Sequence, residues 1–183
     1  VMEHVHMPLQ AGSNSELKRM RRLYTIESFK EIVAELRATV PGITITTDLI
    51  VGFPEETEEE FQATLQAVRD IRFDGAFMFA YSPRPGTPAS DWENQIPADV
   101  KNRRLNELIE VQNQITEEIN LTYVGKELEV MIEGPSLKNP DMLQGFTREF
   151  KMVHFKGGAD RYGRIAKVKI NEGHRWGFRG ELV

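Results

Sequence analysis

The stretch Thr47-Asp48-Leu49-Ile50-Val51-Gly52-Phe53-Pro54 decides the fold class of this chain. It closes a β-branched run that begins at Ile43 and is nearly continuous in apolar character, as in a parallel strand covered on both faces. The glycine and the proline at its end break the run. Thr57 and Glu60 then form the T-x-x-E capping box that opens a helix. A buried strand that turns directly into a helix is typical of α/β proteins.

The same alternation of strands and helices continues on both sides of this stretch. Thr25 can cap a helix whose apolar side chains keep 3.6-residue spacing over residues 26–40, and residues 75–81 form a second buried strand. Residues 4–9 form a shorter strand. Alternating elements with short connections predict a parallel sheet or an arc of a barrel. Three strands do not close a barrel, since eight strands need about 250 residues. We therefore expect earlier strands in a missing N-terminal part of the same polypeptide.

From Leu121 the apolar pattern changes from helical to alternating. A long helix after Pro97 leads to this point. Beyond it, apolar and polar residues alternate over residues 127–132 and 166–170, as in half-exposed strands. Turn sequences separate about five such strands, which predicts a small antiparallel β-barrel. We thus expect residues 1–120 to be the C-terminal part of a βα barrel with an exit helix, and residues 121–183 to be the small barrel.

The composition excludes several classes of protein. None of the 183 residues is cysteine, which excludes disulfides, thiolate nucleophiles and any cluster held by cysteine within the chain. No apolar run is long enough for a membrane span, and the first residues lack the basic and apolar regions of a signal peptide. We therefore expect a cytoplasmic protein with no membrane partner.

The net charge of −5 conceals an asymmetry between the two parts of the chain. Residues 1–120 contain 12 Lys and Arg against 20 Asp and Glu, whereas residues 121–183 contain 11 against 8 and carry a net charge of +3. In this tail the cations are interleaved with aromatic residues, as in small β-barrels that bind looped RNA through phosphates and stacked bases. Many of these rings must also fill the core. The candidate RNA-binding residues are Arg148, Lys151, Lys167, Lys169 and Arg175.

Three features upstream could carry a site. His4 and His6 share a face of one strand, but a closed zinc site needs four ligands, so we assign no metal site. Gly52 lies at the C-terminal end of a buried strand, where α/β folds bind ligands; an ordinary strand–helix turn is the alternative. Arg84 lies in a proline-rich loop and could clamp an anion or be a surface arginine.

Three motifs resemble the later barrel strands of the radical-SAM methylthiotransferases. They are His4-Val5-His6-Met7-Pro8-Leu9-Gln10-Ala11-Gly12-Ser13, Thr47-Asp48-Leu49-Ile50-Val51-Gly52-Phe53-Pro54 and Tyr81-Ser82-Pro83-Arg84-Pro85-Gly86-Thr87-Pro88-Ala89. The tail resembles the TRAM domain of that family. Within the tail, Glu133-Gly134-Pro135-Ser136 followed by Lys138-Asn139-Pro140 is similar to the branch that acts on isopentenyl-adenosine of tRNA.

The resemblance implies the C-terminal part of a radical-SAM, partial TIM-type barrel followed by a TRAM RNA-binding barrel. It implies a transferase that uses S-adenosyl-L-methionine and two 4Fe-4S clusters to methylthiolate carbon-2 of the adenosine next to the anticodon of tRNA. The cluster cysteines would precede Val1, so this chain alone would be inactive. Asp48-x-Ile50-x-Gly52-x-x-Glu55 resembles an adenine-contacting G-x-I-x-G-x-x-E strand, with Asp48 in place of the first glycine. The cofactor-binding residues implied are Gln10, Ser13, Asp48, Gly52 and Arg84.

Other functions remain open at this point. The chain could act alone as an RNA-binding module, or belong to a methylthiotransferase acting on a different modified adenosine or on a ribosomal protein. A cysteine-free α/β enzyme for phosphorylated metabolites is a third interpretation, although the sequence lacks a G-x-x-x-x-G-K-[ST] loop. A fragment with an incomplete barrel should expose an apolar sheet edge, whereas an evolved module should be a stable monomer.

Overall fold

The computed structural model describes residues 2–137 and 139–183 of the chain. Lys138, part of the Lys138-Asn139-Pro140 motif, lies outside the described residues. Two short 3₁₀ helices cover Pro88–Asp91 and Ala159–Arg161. The remaining elements are, in chain order, β1 (His4–His6), α1 (Asn14–Arg19), α2 (Ile26–Thr39), β2 (Thr44–Val51), α3 (Glu58–Ile71), β3 (Gly75–Ala80), α4 (Ala98–Leu121), β4 (Glu127–Pro135), β5 (Met142–Thr147), β6 (Met152–Lys156), β7 (Ile165–His174) and β8 (Gly177–Leu182).

These elements form two compact units. The α/β unit comprises His6–Pro41 and Ile45–Ile115. The barrel unit comprises Val1–Val5, Gly42–Thr44 and Thr116–Val183. The division falls inside α4, a few residues before the expected boundary between residues 120 and 121. Each unit has its own buried side chains and is described by itself.

One sheet has three strands in the order β1, β2, β3; the α/β unit contains all of β3, residues 45–51 of β2 and the last residue of β1. β2 and β3 run parallel, and their register sets Asp48 opposite Phe77 and Ile50 opposite Phe79. This confirms the predicted α/β fold with a parallel sheet. β1 covers fewer residues than expected, but the chain beyond it stays beside β2 as far as Gln10, which forms a parallel bridge with Leu49.

β2 buries only one of its two faces. Leu49 and Val51 are inaccessible to solvent, while Asp48 and Ile50 on the opposite side are half-buried. On the neighbouring strand, Phe77 is 62% exposed and Phe79 is 54% exposed. The expectations that β2 is covered on both faces and that β3 is a buried strand are therefore wrong, because the described residues leave this second face partly open. We call the side of the sheet with Thr46, Asp48, Ile50, Phe77 and Phe79 the open face.

Capping boxes begin two of the helices, at the residues Thr25 and Thr57 that the sequence predicts as caps. The hydroxyl of Thr57 accepts a hydrogen bond from the N–H of Glu60 at 3.2 Å, and the Glu60 carboxylate accepts one from the N–H of Thr57 at 3.1 Å. Thr25 and Ser28 form a similar pair at the start of α2. The predicted stripe of α3 is buried throughout, at Phe61, Leu65, Val68 and Ile71. In α2 the helical pattern overestimates burial, since Ile32 is 46% exposed.

α4 is a helix of 24 residues that begins after Pro97, as predicted. Leu108 and Ile115 are buried. Gln112 is also buried, and its side-chain amide donates a hydrogen bond of 2.8 Å to the carbonyl of Phe73. Among the described residues, no helix is both long and apolar enough to cross a lipid bilayer.

Ionisable side chains are buried inside the α/β unit. Arg104 and Glu56 are 5% and 3% exposed, and Nη1 of Arg104 lies 2.6 Å from Oε2 of Glu56. The same oxygen accepts a hydrogen bond from the N–H of Gly52 at 2.6 Å. Glu16 on α1 is fully buried, and neither carboxyl oxygen has a hydrogen-bond partner among the described residues. Burial, with the nearby carboxylates of Glu56 and Glu60, raises the pKa of Glu16 to about 9.

Strands β4 to β8 form a closed barrel in the order β4, β5, β6, β8, β7. This confirms the small barrel of five strands, but one pair is not antiparallel: β6 and β8 run parallel, with His154 opposite Arg179. An odd number of strands cannot alternate in direction around a closed barrel, so one neighbouring pair must be parallel. The buried core consists of Val130, Ile132, Leu143, Val153, Phe155, Val168, Ile170 and Phe178.

Candidate cofactor cavity and nucleic-acid face

A cavity of about 580 Å³ lies at the carboxyl ends of β2 and β3 in the α/β unit. Cavities of this size are typical of small-molecule sites, and parallel sheets bind ligands at this end of their strands. Its lining comprises Gln10, Arg19, Met20, Arg21, Arg22, Asp48, Ile50, Phe53, Phe79, Ala80, Tyr81, Ser82, Arg84, Thr87, Pro88, Ala89 and Trp92.

Gln10 is fixed in the cavity wall by the sheet. Its N–H donates to the carbonyl of Asp48 at 2.8 Å, and its carbonyl accepts from the N–H of Ile50 at 2.9 Å. The residue is 5% exposed and has a φ of 72°, which is uncommon for a residue with a side chain. Strained backbone of this kind persists only where the surroundings enforce it, and it is frequent at functional sites.

Asp48 places a carboxylate in the cavity on the open face. Its Oδ1 lies 3.3 Å from Nε2 of His6. Nδ1 of His6 lies 3.0 Å from the hydroxyl of Thr46, and the imidazole meets the ring of Phe77 edge-on at 5.9 Å. Both nitrogens of His6 therefore have partners within the sheet. In the part of the chain that the structure describes, no three His, Cys, Asp or Glu side chains are grouped to hold a metal ion.

An aromatic wall and one arginine complete this side of the cavity. The ring of Phe53 packs edge-on against Tyr81 at 5.1 Å and against Trp92 at 5.7 Å. Arg84 follows in the proline-rich loop, and its carbonyl accepts hydrogen bonds from the N–H and the hydroxyl of Thr87 at 3.1 and 2.8 Å. This turn fixes the backbone of Arg84, which lines the same cavity as the aromatic rings.

The end of α1 supplies further cations. Arg19 makes a bidentate pair with Glu60, with distances of 2.9 and 2.5 Å. Burial acts to raise the pKa of Glu60, but the hydrogen bonds from Arg19 and Ser15 outweigh it and lower the pKa to about 2. The charge of Arg19 is thus balanced by a carboxylate. Arg21 and Arg22 are exposed at the cavity. A ligand with a flat ring and charges of both signs would find complementary groups there.

Ser13 and Gly52 are, among the described residues, absent from the cavity lining. The hydroxyl of Ser13 lies 2.7 Å from that of Ser15. Gly52 has a φ of 72°, and a Cβ there would overlap the side chain of Lys101, whose ammonium donates to the carbonyl of Tyr81 at 3.1 Å. The glycine therefore makes room for a lysine stem. Three of the five sequence candidates, Gln10, Asp48 and Arg84, come together at one cavity.

The five candidate RNA-binding residues do not form one cluster. Lys167 and Lys169 point outward from β7, but the register sets Glu129 opposite Lys167 and Glu127 opposite Lys169. Lys169 also has Glu181 opposite it on β8. Oppositely charged side chains this close offset each other's charge, which weakens the attraction of this face for phosphates.

Arg148 and Lys151 have partners within the barrel unit. Arg148 donates to both carboxylate oxygens of Glu3 at 2.9 and 2.7 Å. Lys151 is 7% exposed, and its ammonium donates to the side chain of Asn120 at 2.8 Å. Lys151 also lies over the ring of Tyr123 at 5.5 Å. The expectation that Lys151 contacts RNA is therefore wrong for this structure, because a buried ammonium cannot reach a phosphate.

Arg175 lies in the two-residue turn between β7 and β8, beside Trp176. Its guanidinium is 5.7 Å from the centre of the indole, and Trp176 is 76% exposed. A hollow of about 470 Å³ next to this turn is lined in part by His154, His174 and Arg179. A second hollow of about 390 Å³ shares His154 and Arg179 with the first.

Comparison with known families agrees with both units. Residues 2–68 match the radical SAM superfamily, and residues 121–183 match the TRAM domain. The α/β unit is thus similar to the radical SAM superfamily over its first part, and the barrel unit is similar to the TRAM domain. We call the cavity the radical SAM cavity and the five-stranded barrel the TRAM barrel, after the families that these parts of the chain resemble.

The similarity to individual proteins extends over the whole chain. The chain is 49% identical to the tRNA-2-methylthio-N(6)-dimethylallyladenosine synthase of Moorella thermoacetica and 43% identical to that of Bacillus subtilis, over all 183 residues. The chain spans 41% and 36% of the lengths of these relatives. Among solved structures, coproporphyrinogen III oxidase from Escherichia coli, a radical SAM enzyme, matches with a TM-score of 0.52 and 21% identity over 62% of this chain and 27% of its own. That likeness concerns the fold alone.

The match of residues 2–68 to the radical SAM superfamily implies S-adenosylmethionine and an iron–sulfur cluster. The radical SAM cavity fits the first, since it combines a suitable volume, an aromatic wall, the Asp48 carboxylate and the guanidinium groups of Arg21, Arg22 and Arg84. The chain does not fit the second by itself. With no cysteine among its 183 residues it has no thiolate ligand, so a cysteine-held cluster must take its ligands from outside this chain.

Sequence reasoning missed several residues of both sites. The aromatic wall of the radical SAM cavity uses Phe53, Tyr81 and Trp92, and Trp92 comes from a segment that carries no motif. On the TRAM barrel, His154 and Trp176 were not among the candidates. The sequence does contain a signal for Trp176. Arg175 and Trp176 lie between two segments of alternating apolar and polar residues, and a bulky ring in a two-residue turn between strands cannot reach the core.

Proposed function

We propose that this chain is the C-terminal part of a radical-SAM tRNA methylthiotransferase that methylthiolates carbon-2 of isopentenyl-adenosine beside the anticodon. The observation that carries the proposal is the 49% identity to a synthase of that name over all 183 residues, across both the α/β unit and the TRAM barrel. Because the chain covers only 41% of that relative, the full-length enzyme would supply the remaining domains. This chain alone would be inactive.

The radical SAM cavity would hold S-adenosylmethionine in the full-length enzyme. Asp48 provides an acceptor for the ammonium or hydroxyl groups of the cofactor, and Arg84 provides a donor for its carboxylate. The aromatic wall excludes water and supplies an edge for a planar base. When bound, the cofactor supplies the methyl group and, with a reduced cluster, the radical. The full-length enzyme would carry two 4Fe-4S clusters whose ligands lie outside these residues.

The TRAM barrel would bind the anticodon region of tRNA. Its support is the net charge of +3 over residues 121–183, together with the exposed Arg175 and Trp176 at one turn. Contacts of cations with phosphates release counterions, so tRNA affinity should fall steeply with salt, with a log–log slope of about −0.7 to −0.9 for each neutralised phosphate.

The direct test uses the full-length enzyme with its clusters reconstituted under anaerobic conditions. tRNA that carries isopentenyl-adenosine but lacks the methylthio group is incubated with S-adenosylmethionine and reductant, then digested and analysed by mass spectrometry. The proposal expects 2-methylthio-isopentenyl-adenosine from the wild type and a loss of most product when residues 121–183 are removed. Modification of an adenosine without the isopentenyl group, or of a protein instead of tRNA, would contradict the proposed substrate.

A further inference from the structure

The outer surface of the TRAM barrel differs from one pair of strands to the next. On the β4–β7 side, the outward lysines Lys167 and Lys169 face the glutamates described above. On the parallel β6–β8 side, the register brings Gln144, His154 and Arg179 into one row across three strands. The neighbours of these residues along the strands, Val153, Phe155 and Phe178, are buried in the core, so the row points outward.

The β6–β8 side also carries an exposed indole. Trp176 is 76% exposed at the tip of the β7–β8 hairpin, with the guanidinium of Arg175 5.7 Å from its ring centre. Phe150 is also half-exposed, but its ring already stacks on the rings of Phe146 and His4, with ring centres 4.8 Å apart in each case. Trp176 is also absent from the buried core, so folding alone does not require an aromatic ring there.

The position of Trp176 is fixed by the backbone beside it. Gly177 has a φ of 128°, and a Cβ at this residue would overlap the carbonyl of Met152 at the start of β6. Only a glycine allows the hairpin to lie this close to β6. The indole therefore projects from a turn whose backbone packs against the start of β6.

Cations line the two adjoining hollows at this end of the barrel. Arg175 and Arg179 line the hollow beside Trp176, and Lys156 lines the adjoining hollow that shares Arg179. Glu172 lies 2.9 Å from His174 and 3.9 Å from Arg179. The ion pair of Glu172 with Arg179 is exposed, and exposed ion pairs contribute at most about 1 kcal/mol, so a phosphate can compete for Arg179.

We propose that the β6–β8 side of the TRAM barrel is the RNA-binding face, and that Trp176 stacks on an unpaired base whose phosphates contact Arg175 and Arg179. The ligand is thus an unpaired nucleotide in a loop of RNA, since a base within a duplex has no free face for the indole. This inference rests on the proposed function, which requires the barrel to bind tRNA, and it identifies which side of the barrel does so.

The test compares two RNA probes on the 183-residue chain. One is a hairpin with an unpaired loop, and the other is a duplex of the same length; both carry a fluorescent label for anisotropy titrations. Stacking of one base is worth about 1–3 kcal/mol, so Trp176→Ala should weaken hairpin binding roughly 5- to 150-fold and leave duplex binding unchanged. Trp176→Phe should recover much of the hairpin affinity. Arg179→Gln should weaken both probes and flatten the salt slope by about 0.7–0.9.

Two matched controls and one spectroscopic readout separate the alternatives. Lys167→Gln with Lys169→Gln removes two cations from the β4–β7 side, and Tyr162→Ala removes another partly exposed ring; neither should weaken hairpin binding. In a Trp92→Phe background, Trp176 is the remaining tryptophan, and its fluorescence should be quenched by the hairpin. This fluorescence readout keeps Trp176 in place, so it tests stacking without a substitution of the residue itself.

The outcomes distinguish this inference from the proposed function. If Trp176→Ala binds the hairpin as tightly as wild type, or if the hairpin binds without quenching, the inference is overturned while RNA binding by the barrel stands. If only the double lysine variant loses affinity, the RNA-binding face is the β4–β7 side. If the wild-type chain binds neither probe at low salt, the RNA-binding part of the proposed function fails as well.

Discussion

Replacing Glu16 by glutamine should stabilise the α/β unit by an amount that grows with pH. Glu16 is fully buried, and neither carboxyl oxygen has a partner among the described residues. Burial and the neighbouring carboxylates raise its pKa from 4.5 to about 9. The folded protein therefore keeps Glu16 protonated at neutral pH, whereas the unfolded chain ionises it. Glutamine has a similar shape and cannot ionise in either state.

The magnitude follows from the two pKa values. Because the folded pKa is raised, the stability that Glu16 contributes is complete below pH 4.5 and is lost as the pH rises toward 9. One pH unit within this window costs about 1.4 kcal/mol, so between pH 4.5 and pH 7 the loss reaches at most about 3–4 kcal/mol. Glu16→Gln should remove this loss. The variant should match wild type near pH 4.5 and exceed its free energy of unfolding increasingly above it.

The assay is urea unfolding of the chain at several pH values between 4.5 and 8.5. A Trp176→Phe background leaves Trp92, in the α/β unit, as the fluorescent reporter. Glu60→Gln is the control: the pKa of Glu60 is lowered to about 2, so its contribution is lost only as the pH falls from 4.5 toward 2, and the difference in stability between this variant and wild type should stay constant over the assayed range. Parallel pH profiles for wild type and Glu16→Gln, or a variant less stable at pH 8, would refute the reasoning.

Three further substitutions test the structure of the α/β unit. Gly52→Ala should destabilise the unit by about 1–2 kcal/mol through the positive φ alone, and by more through overlap of the new Cβ with Lys101. Adding Lys101→Ala should remove only the cost of the overlap. If the double variant regains the full stability of wild type in urea unfolding, the positive φ is not strained. Arg104→Ala should cost about 3–5 kcal/mol, because it leaves the Glu56 carboxylate buried without its cation. Arg104→Met with Glu56→Leu should recover most of that loss, and no recovery would argue against a charge effect. Gln10→Gly should change stability by less than about 1 kcal/mol, since glycine accepts a φ of 72°, while it weakens cofactor binding by the full-length enzyme.

Local patterns in the sequence were sufficient for most of the fold. The capping box of Thr57 and Glu60 located the start of α3, and its helical stripe identified the buried residues, because both depend on residues a few positions apart. Alternation in β4 and β7 identified their inward and outward faces for the same reason. The open face of the sheet could not be predicted from β2 alone, since burial of that face depends on what lies against it.

Sites were less predictable, because they depend on which distant residues meet. Lys151 was taken for a surface cation, but it alternates in phase with the buried Val153 and Phe155, and this signal could have placed it inside. Gly52 was expected to face a ligand, whereas Lys101 from α4 occupies that space. Nothing near Gly52 in the sequence indicates which lysine packs there. The pairing of Lys167 and Lys169 with glutamates likewise depends on strand register.

The central claim is that the cavity lined by Gln10, Asp48 and Arg84 holds S-adenosylmethionine. The most direct measurement is equilibrium binding of S-adenosylmethionine to the full-length enzyme with reconstituted clusters, for wild type, Asp48→Asn and Ser13→Ala. Loss of a charged hydrogen bond is worth about 1.5–3 kcal/mol, so Asp48→Asn should raise the Kd at least about tenfold. Ser13→Ala should bind as wild type, because Ser13 is outside the cavity lining. Wild-type affinity in Asp48→Asn, with a loss of affinity in Ser13→Ala, would contradict this assignment.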